Sequence, residues 1–306
     1  MKGEREERRE DRERRIDGAR LLSPLSPLLS PPSNYLRVFL TFARNSLVRD
    51  MTFRANFLID TISSISWVFI NLGFYTLLFR YTPSIGVSTG WEKYQFFLFL
   101  ATALLVNSLV QAFFMTNADE LSELVRTGGL DFALLKPIDT QFLVSLTRIE
   151  WSSLGNFVIG LVLMVYALFQ LHYAPGVLQM VLYPLYVLCG VAIYYSLMIA
   201  LAATSVWLGR NQTLFDFWFY ITNFSRYPME IYHGPWGTPL RRLFTFCIPV
   251  LVVVNVPARI LVRPLMPHGP ADWLLPGFAL LATVASLAVS RWVFQLALRG
   301  YRSASS

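Results

Sequence analysis

The sequence predicts an all-α integral membrane protein, with six transmembrane helices, an N-terminal interfacial helix and a re-entrant outer segment before the last helix. Three observations carry this expectation. Hydrophobic residues make up 55% of the chain, a share that soluble domains rarely reach. Long apolar runs without charge recur along it, near the roughly 20 residues that a helix needs to cross a hydrocarbon core. A further apolar run, 243–261, is interrupted by Pro249 and Pro257 and bracketed by Arg241, Arg242, Arg259 and Arg263, a pattern of irregular backbone at membrane depth.

Taken in order, residues 1–33 read as a disordered tail. The Arg and Glu of EREERREDRERRIDGAR nearly cancel, and SPLSPLLSPP is broken by proline too often to form a helix. Its leucines form no continuous apolar core, so it does not read as a signal peptide. The transmembrane domain is expected over 34–303. In 35–50, Leu36, Phe39, Leu40, Ala43 and Leu47 share one helix face and Arg37, Thr41, Arg44 and Asn45 the other, as in a helix lying in the membrane interface. Spans are expected at about 53–79, 94–116, 152–171, 178–208, 212–228 and 273–298, with HYAPG at 172–176 dividing the third from the fourth. The proline-broken 243–262 reads as re-entrant on the outer side, because its freed backbone groups need protein or a water-filled cavity around them.

Both termini are expected in the cytoplasm. That choice leaves Arg37, Arg44, Arg49, Arg126, Lys136, Arg148, Arg210, Arg299 and Arg302 inside, a slight excess over the basic residues outside. Small residues recur every fourth position at Ser196, Ala200 and Thr204 and at Ala282, Ser286 and Ser290, as close helix packing requires, within one chain or between two.

Several chemistries are excluded. His172, His233 and His268 fall in expected outer loops, no HExxH, GxSxG or CxxC occurs, and no paired carboxylates sit within a span. Cys189 and Cys247 have no nearby partner in sequence, and no clustered basic face with aromatic platforms suggests nucleic acid. The only lysines, Lys2, Lys93 and Lys136, follow Met, Glu and Leu, so there is no Gly-Lys pair with which to cradle a nucleotide phosphate. ATP and Mg must therefore be bound by another chain if they are used at all. Polar residues within the spans, Asn71, Asn107, Gln111 and Asn223, either line a substrate path or bond helix to helix. Asp216, six residues after Arg210, is either a functional carboxylate or half of an intramembrane ion pair.

The connection 117–150 is long for a chain of short loops. Asn117 and Glu120 have the spacing of a capping box at the start of a short helix. Gly128 or Gly129 would end that helix in a left-handed turn, LDFALL is too short to cross, Lys136-Pro137 turns the chain, and Asp139 can cap a helix bearing Phe142, Leu143, Leu146 and Ile149. An apolar surface rimmed by charge results, to be covered either by the chain's own spans or by a partner.

Arg126, Gly128, Leu130, Asp131, Leu134, Lys136 and Pro137 match in order the form R-x-G-x-L-D-x-x-L-x-K-P, and in this the chain resembles a six-span subfamily of type-2 ABC transporter permeases. The likeness runs from about residue 35 to 301 and takes in SRYPMEIY and the Pro-rich FCIPVLVVVNVPARIL; the charged tail falls outside it. The resemblance implies an ABC exporter half in the cytoplasmic membrane of a prokaryote, paired with a second permease as a homodimer or heterodimer. A separate ATPase would dock on a coupling loop made of Leu124, Arg126, Gly128, Gly129, Asp131, Lys136 and Pro137, and helix 35–50 would transmit motion as an elbow. An amphipathic or lipid-like substrate or drug would move by alternating access. The readings from other classes are an ion-gradient-driven secondary transporter, which needs midplane carboxylates and usually a repeat, a membrane-embedded enzyme, and a scaffold.

Overall fold

A computed structural model describes residues 32–52, 54–86, 89–208, 212–262 and 273–301, so the tail through residue 31 lies outside it. The elements are helices α1 (Pro32–Thr52), α2 (Arg54–Tyr81), α3 (Lys93–Thr127), α4 (Gly129–Leu134), α5 (Thr140–Leu146), α6 (Trp151–Gln170), α7 (Val177–Leu208), α8 (Gln212–Asn223), α9 (Gly234–Cys247), α10 (Val250–Val262) and α11 (Leu274–Gly300). One isolated antiparallel bridge, Ser84 to Glu92, closes the loop between α2 and α3.

Among the described residues five helices, α2, α3, α6, α7 and α11, are long and apolar enough to cross a membrane. The chain also travels from one end of the bundle to the other between α7 and α9. The tail of α7 lies at the end where α11 finishes, since a Cβ at Gly300 would stand 2.8 Å from the Trp207 indole nitrogen. Glu230 lies at the opposite end, where its carboxylate accepts the Trp91 Nε1–H (3.1 Å) just ahead of α3. In place of the continuous span expected at 212–228, this passage is made in pieces: the 12-residue α8 and two 3-10 turns, Phe224–Arg226 and Met229–Ile231. At 1.5 Å per residue, α8 alone rises only about 18 Å.

The segment after Glu230 is re-entrant. α9 and α10 meet at a bend of 87° around Ile248 and Pro249. α10 then climbs antiparallel to α7, with Val253 against Gly190 and the Ile260 carbonyl accepting Gln179 Nε2–H (2.6 Å) close to the start of α7. Entry at Glu230 and exit at Ile260 thus lie at the same end. The expected hairpin is present, and α10 contributes its valines to the core, with Val250 to Ala258 all buried.

The centre of the bundle is α3, packed against α6, α7 and α10, while α7 also carries α11. Burial ranks the helices accordingly: 67% of the most apolar stretch of α3 is buried against 11% of that of α2. Phe96, Leu98 and Phe99 of α3 and Tyr194, Met198 and Ile199 of α7 are wholly enclosed. The small residues Ser196 on α7 and Ala282 and Ser290 on α11 are buried, and these two helices pack together. α2 instead presents Ile62, Trp67, Phe69, Ile70 and Phe74 outward, side chains that a hydrocarbon solvent tolerates and water would not.

Two glycines allow close contact. A Cβ at Gly190 would lie 2.8 Å from the Val253 carbonyl oxygen, and one at Gly160 would lie 3.1 Å from a Leu105 methyl. Backbone at the first position cannot give way cheaply, whereas Gly73 on α2 has nothing within 4 Å of its Cβ position. Gly190→Ala is therefore expected to lower stability by about 1–3 kcal/mol through overpacking, and Gly73→Ala to leave it unchanged or raise it by up to about 1 kcal/mol through helix propensity. Thermal unfolding of the two variants in detergent micelles checks the difference.

Candidate docking site

The helix of the second span does not stop where the span is expected to end, at residue 116. α3 continues as one helix to Thr127, widening at Gln111–Met115 into a π-helical turn. That turn leaves the Ala112 carbonyl to accept the Glu150 N–H (2.8 Å), so a defect in one helix is filled by the chain returning from α5. Asn117 is accordingly not the helix cap that its spacing to Glu120 suggests. It lies buried inside α3, where its amide grips the Arg148 peptide from both sides: Nδ2–H donates to the carbonyl (2.7 Å), and Oδ1 accepts the N–H (2.9 Å). Glu120, the expected partner in the capping box, pairs instead with the Arg148 guanidinium. Partial burial, and then the nearby Arg49, hold that guanidinium below its ordinary range.

α3 ends at Gly128, whose φ of 73° is the left-handed conformation in which a side chain would be strained. α4 follows at once. Its Leu130 and Ala133 turn inward and are buried, so the residues between and after them point out: Phe132 is 73% exposed and Leu135 81%. Lys136 and Pro137 then turn the chain, and Asp139 caps α5 by accepting the Phe142 N–H (2.9 Å). The helix behind that cap ends at Leu146, so Ile149, expected on it, is buried beyond its end.

The Asp139 carboxylate has a second task. Arg291, on α11, donates to both of its oxygens and also to Gln141 Oε1 (3.0 Å). Gln141 Nε2–H in turn donates to the Tyr195 hydroxyl (3.0 Å), which shares a hydrogen bond with Ser145 (2.9 Å). α5 is thereby fixed to α7 and α11. The strand of chain leaving α5 is fixed to α1 as well, because Ile149 N–H donates to Ser46 Oγ (3.1 Å) and Trp151 N–H to Asp50 (3.4 Å).

The residues expected in the coupling loop take different positions. Arg126 is exposed and held by Glu123 (2.9 Å and 2.5 Å), and Lys136 and Pro137 are exposed at the rim. Asp131 is half-buried beside Tyr301, whose phenol is pushed up by burial and then by that carboxylate. Leu124 does not protrude: it lies over Gly129, where a Cβ would meet its methyl at 2.9 Å. Phe132 and Leu135, which the sequence reading did not single out, form the projecting apolar edge. Their signal was present in the i, i+3 spacing opposite Leu130 and Ala133, on a helix too short to show a period.

The polar groups expected within the spans bond to their own helices or lie at helix breaks. Asn71 and Asn107 donate to their own helices at Trp67 and Ala103 (2.8 Å each), while Gln111 opens the π turn and Asn223 ends α8. No hydrogen bond joins any two of the four among the described residues. Arg210 and the Asp216 side chain lie outside the described residues. At the end opposite α4, Glu230 accepts Arg259 (2.5 Å) as well as Trp91, and Asn255 holds the Met229 N–H (2.8 Å), so the re-entrant α10 is tied to the turn ahead of it. Nearby Tyr232 is pushed up to about 12, by burial and then by Tyr227.

Asp139→Asn and Arg291→Gln should each cost about 1–3 kcal/mol, because each leaves a partly buried charge without its partner. The exchanged pair, Asp139→Arg with Arg291→Asp, should recover part of that loss, as read by melting temperature. Asn117→Leu should cost about 2–4 kcal/mol by leaving the two backbone groups of Arg148 unpaired, whereas Asn71→Leu should change little.

Comparison with known proteins adds one finding to this geometry. No curated protein matches the chain. The family model described as ABC-2 family transporter protein matches residues 65–305, more than three quarters of the sequence and all of the helices from the middle of α2 onward. With five long apolar helices, a broken crossing and a re-entrant hairpin, this multi-pass membrane protein belongs to the ABC-2 family of transporter proteins.

Proposed function

We propose that the chain is the permease subunit of an ATP-driven exporter, and that a separate ABC ATPase docks on α4. The observation that carries this reading is the projecting edge of Phe132 and Leu135, mounted on a short helix that hydrogen bonds tie rigidly to the long ones. A solvent-facing Phe and Leu at the end of a membrane bundle invite a protein cover. Burying the two would contribute roughly 1.5–3 kcal/mol each. Arg126 and Lys136 at the rim supply charges for orientation, which affect encounter and register more than affinity.

In this reading the α4 end faces the cytoplasm of a prokaryotic cell, together with both termini. Tyr35 packs edge-on to Phe142 (4.9 Å) and Tyr301 sits beside Asp131, which supports one side for both. Closure of two ATPase chains around ATP and Mg would push on α4. The displacement passes from α4 to α5, and from there through Asp139 and Arg291 into α11, through Tyr195 into α7, and through the Asn117 clasp into α3. A second permease, identical or paired, completes the path. Asn71, Asn107, Gln111 and Asn223 are the polar candidates along it, for an amphipathic or lipid-like substrate or drug.

The chain purified in mild detergent should bring down a protein with a Walker A motif. Phe132→Asp with Leu135→Asp should weaken that association at least about 100-fold while leaving the melting temperature in place, and charge reversal at Asp131 and Lys136 should weaken it further. If no ATPase accompanies the chain, the mechanism fails and a carrier driven by an ion gradient becomes the leading account.

A further inference from the structure

α1 has three faces, and among the described residues one of them packs against other helices. Tyr35, Phe39, Phe42, Ser46 and Asp50 recur at helical spacing and turn toward α5, α3 and the start of α6, where Phe39 packs on Phe113 and the polar pair accepts the Ile149 and Trp151 N–H groups. Beside this face runs a stripe of exposed apolar side chains, Leu36, Leu40, Leu47 and Met51. Along the border of that stripe stand Arg37 and Arg44, both exposed and without an ion pair among the described residues. Thr41, Arg44 and Asn45 are all exposed on the same side. The only acid on α1, Asp50, is already engaged by Arg49 and the Trp151 N–H.

We infer that α1 is a binding site for an anionic phospholipid. Its position supports this, because the helix packs on α3, α5 and the chain at the start of α6 directly before the long apolar α2 begins. The stripe reaches the acyl chains, while the two guanidiniums and the Asn45 amide supply donors for a phosphate diester; the Thr41 hydroxyl is already spent on the Arg37 carbonyl (2.8 Å). Guanidinium forks match a phosphate diester bidentately, and among the described residues neither Arg37 nor Arg44 is engaged by an acid. Charge complementarity therefore selects the occupant: an acidic lipid rather than a zwitterionic one. Because Ser46 and Asp50 hold the chain leaving α5, a lipid seated on α1 presses on the same segment that positions α4.

The test uses the full-length chain, delipidated in detergent and titrated with phosphatidylglycerol or phosphatidylcholine under native mass spectrometry. Phosphatidylglycerol should bind in preference. Arg37→Gln with Arg44→Gln should reduce that preference roughly 10- to 30-fold, Arg37→Lys with Arg44→Lys should retain most of it, and Arg241→Gln with Arg242→Gln, at the opposite end, should leave it intact. Equal binding of the two lipids, or a preference untouched by the Gln pair or lost equally in the Arg241 and Arg242 control, would overturn the site. The melting temperature of each variant separates loss of binding from loss of fold. Lipid selectivity at α1 is measured without the ATPase, so its failure and a failure of ATPase docking are distinguishable.

Discussion

Asp139 holds the α4 end of the molecule together because one carboxylate serves two structures. It caps α5, fixing where that helix begins, and it neutralises Arg291, a guanidinium otherwise stranded on a membrane-spanning helix. An arginine on such a helix is costly unless it is paired or reaches the interface, so α11 can end where it does only if α5 stands beside it. The position of α5 in turn sets that of Gln141 and Ser145, and through Tyr195 the approach of α7. α4 inherits its place from this arrangement, being joined to α5 by only the few residues around Pro137.

The two ends of the molecule are built on the same principle with different chemistry. At the end opposite α4, the buried Asn255 and the Glu230 carboxylate tie an irregular stretch to α10, whose remaining surface is almost wholly aliphatic. At the α4 end, Asn117 does the corresponding work for the chain at Arg148. In each case a buried amide oxygen accepts a backbone N–H from chain outside the long helices; the Asn117 amide also donates to that chain, whereas the Asn255 amide donates to its own helix at Leu251 (2.8 Å). Such bonds are how non-helical chain persists near a hydrocarbon phase. The difference lies in the neighbours. α10 is enclosed by α3 and α7, whereas α4 has one side open.

Much of this was legible in the sequence, and the parts that were not share a cause. Charge-free runs located the long helices because hydropathy reports desolvation, a property of each residue summed over a window. Pro249 announced the re-entrant bend, whereas Pro257 lies within α10 without ending it; Gly128 and Asp139 announced the turn and the cap, because each of these is a local steric or hydrogen-bonding rule. Asn117 misled for the same reason: its spacing to Glu120 satisfies a local rule, but a peptide 31 residues away claims the amide first. Nothing local in the sequence assigned partners to Arg291 or Arg259, since these lie 152 and 29 residues distant. Phe132 and Leu135 were passed over in favour of Leu124 because six residues of α4 are too few for periodicity to tell an inward face from an outward one.

The π turn at Gln111–Met115 has a consequence for direction. Five residues wound at the wider pitch turn through less angle than five in an α-helix, so everything beyond Met115 is rotated back by nearly one residue position relative to the part of α3 set in the core. The lower third of α3 is therefore out of phase with the upper two thirds, and a helical wheel drawn straight through would aim Asn117 away from the peptide that it holds. The turn acts as a phase shifter within a single rod: it lets one helix satisfy the core with one azimuth and point α4 outward with another.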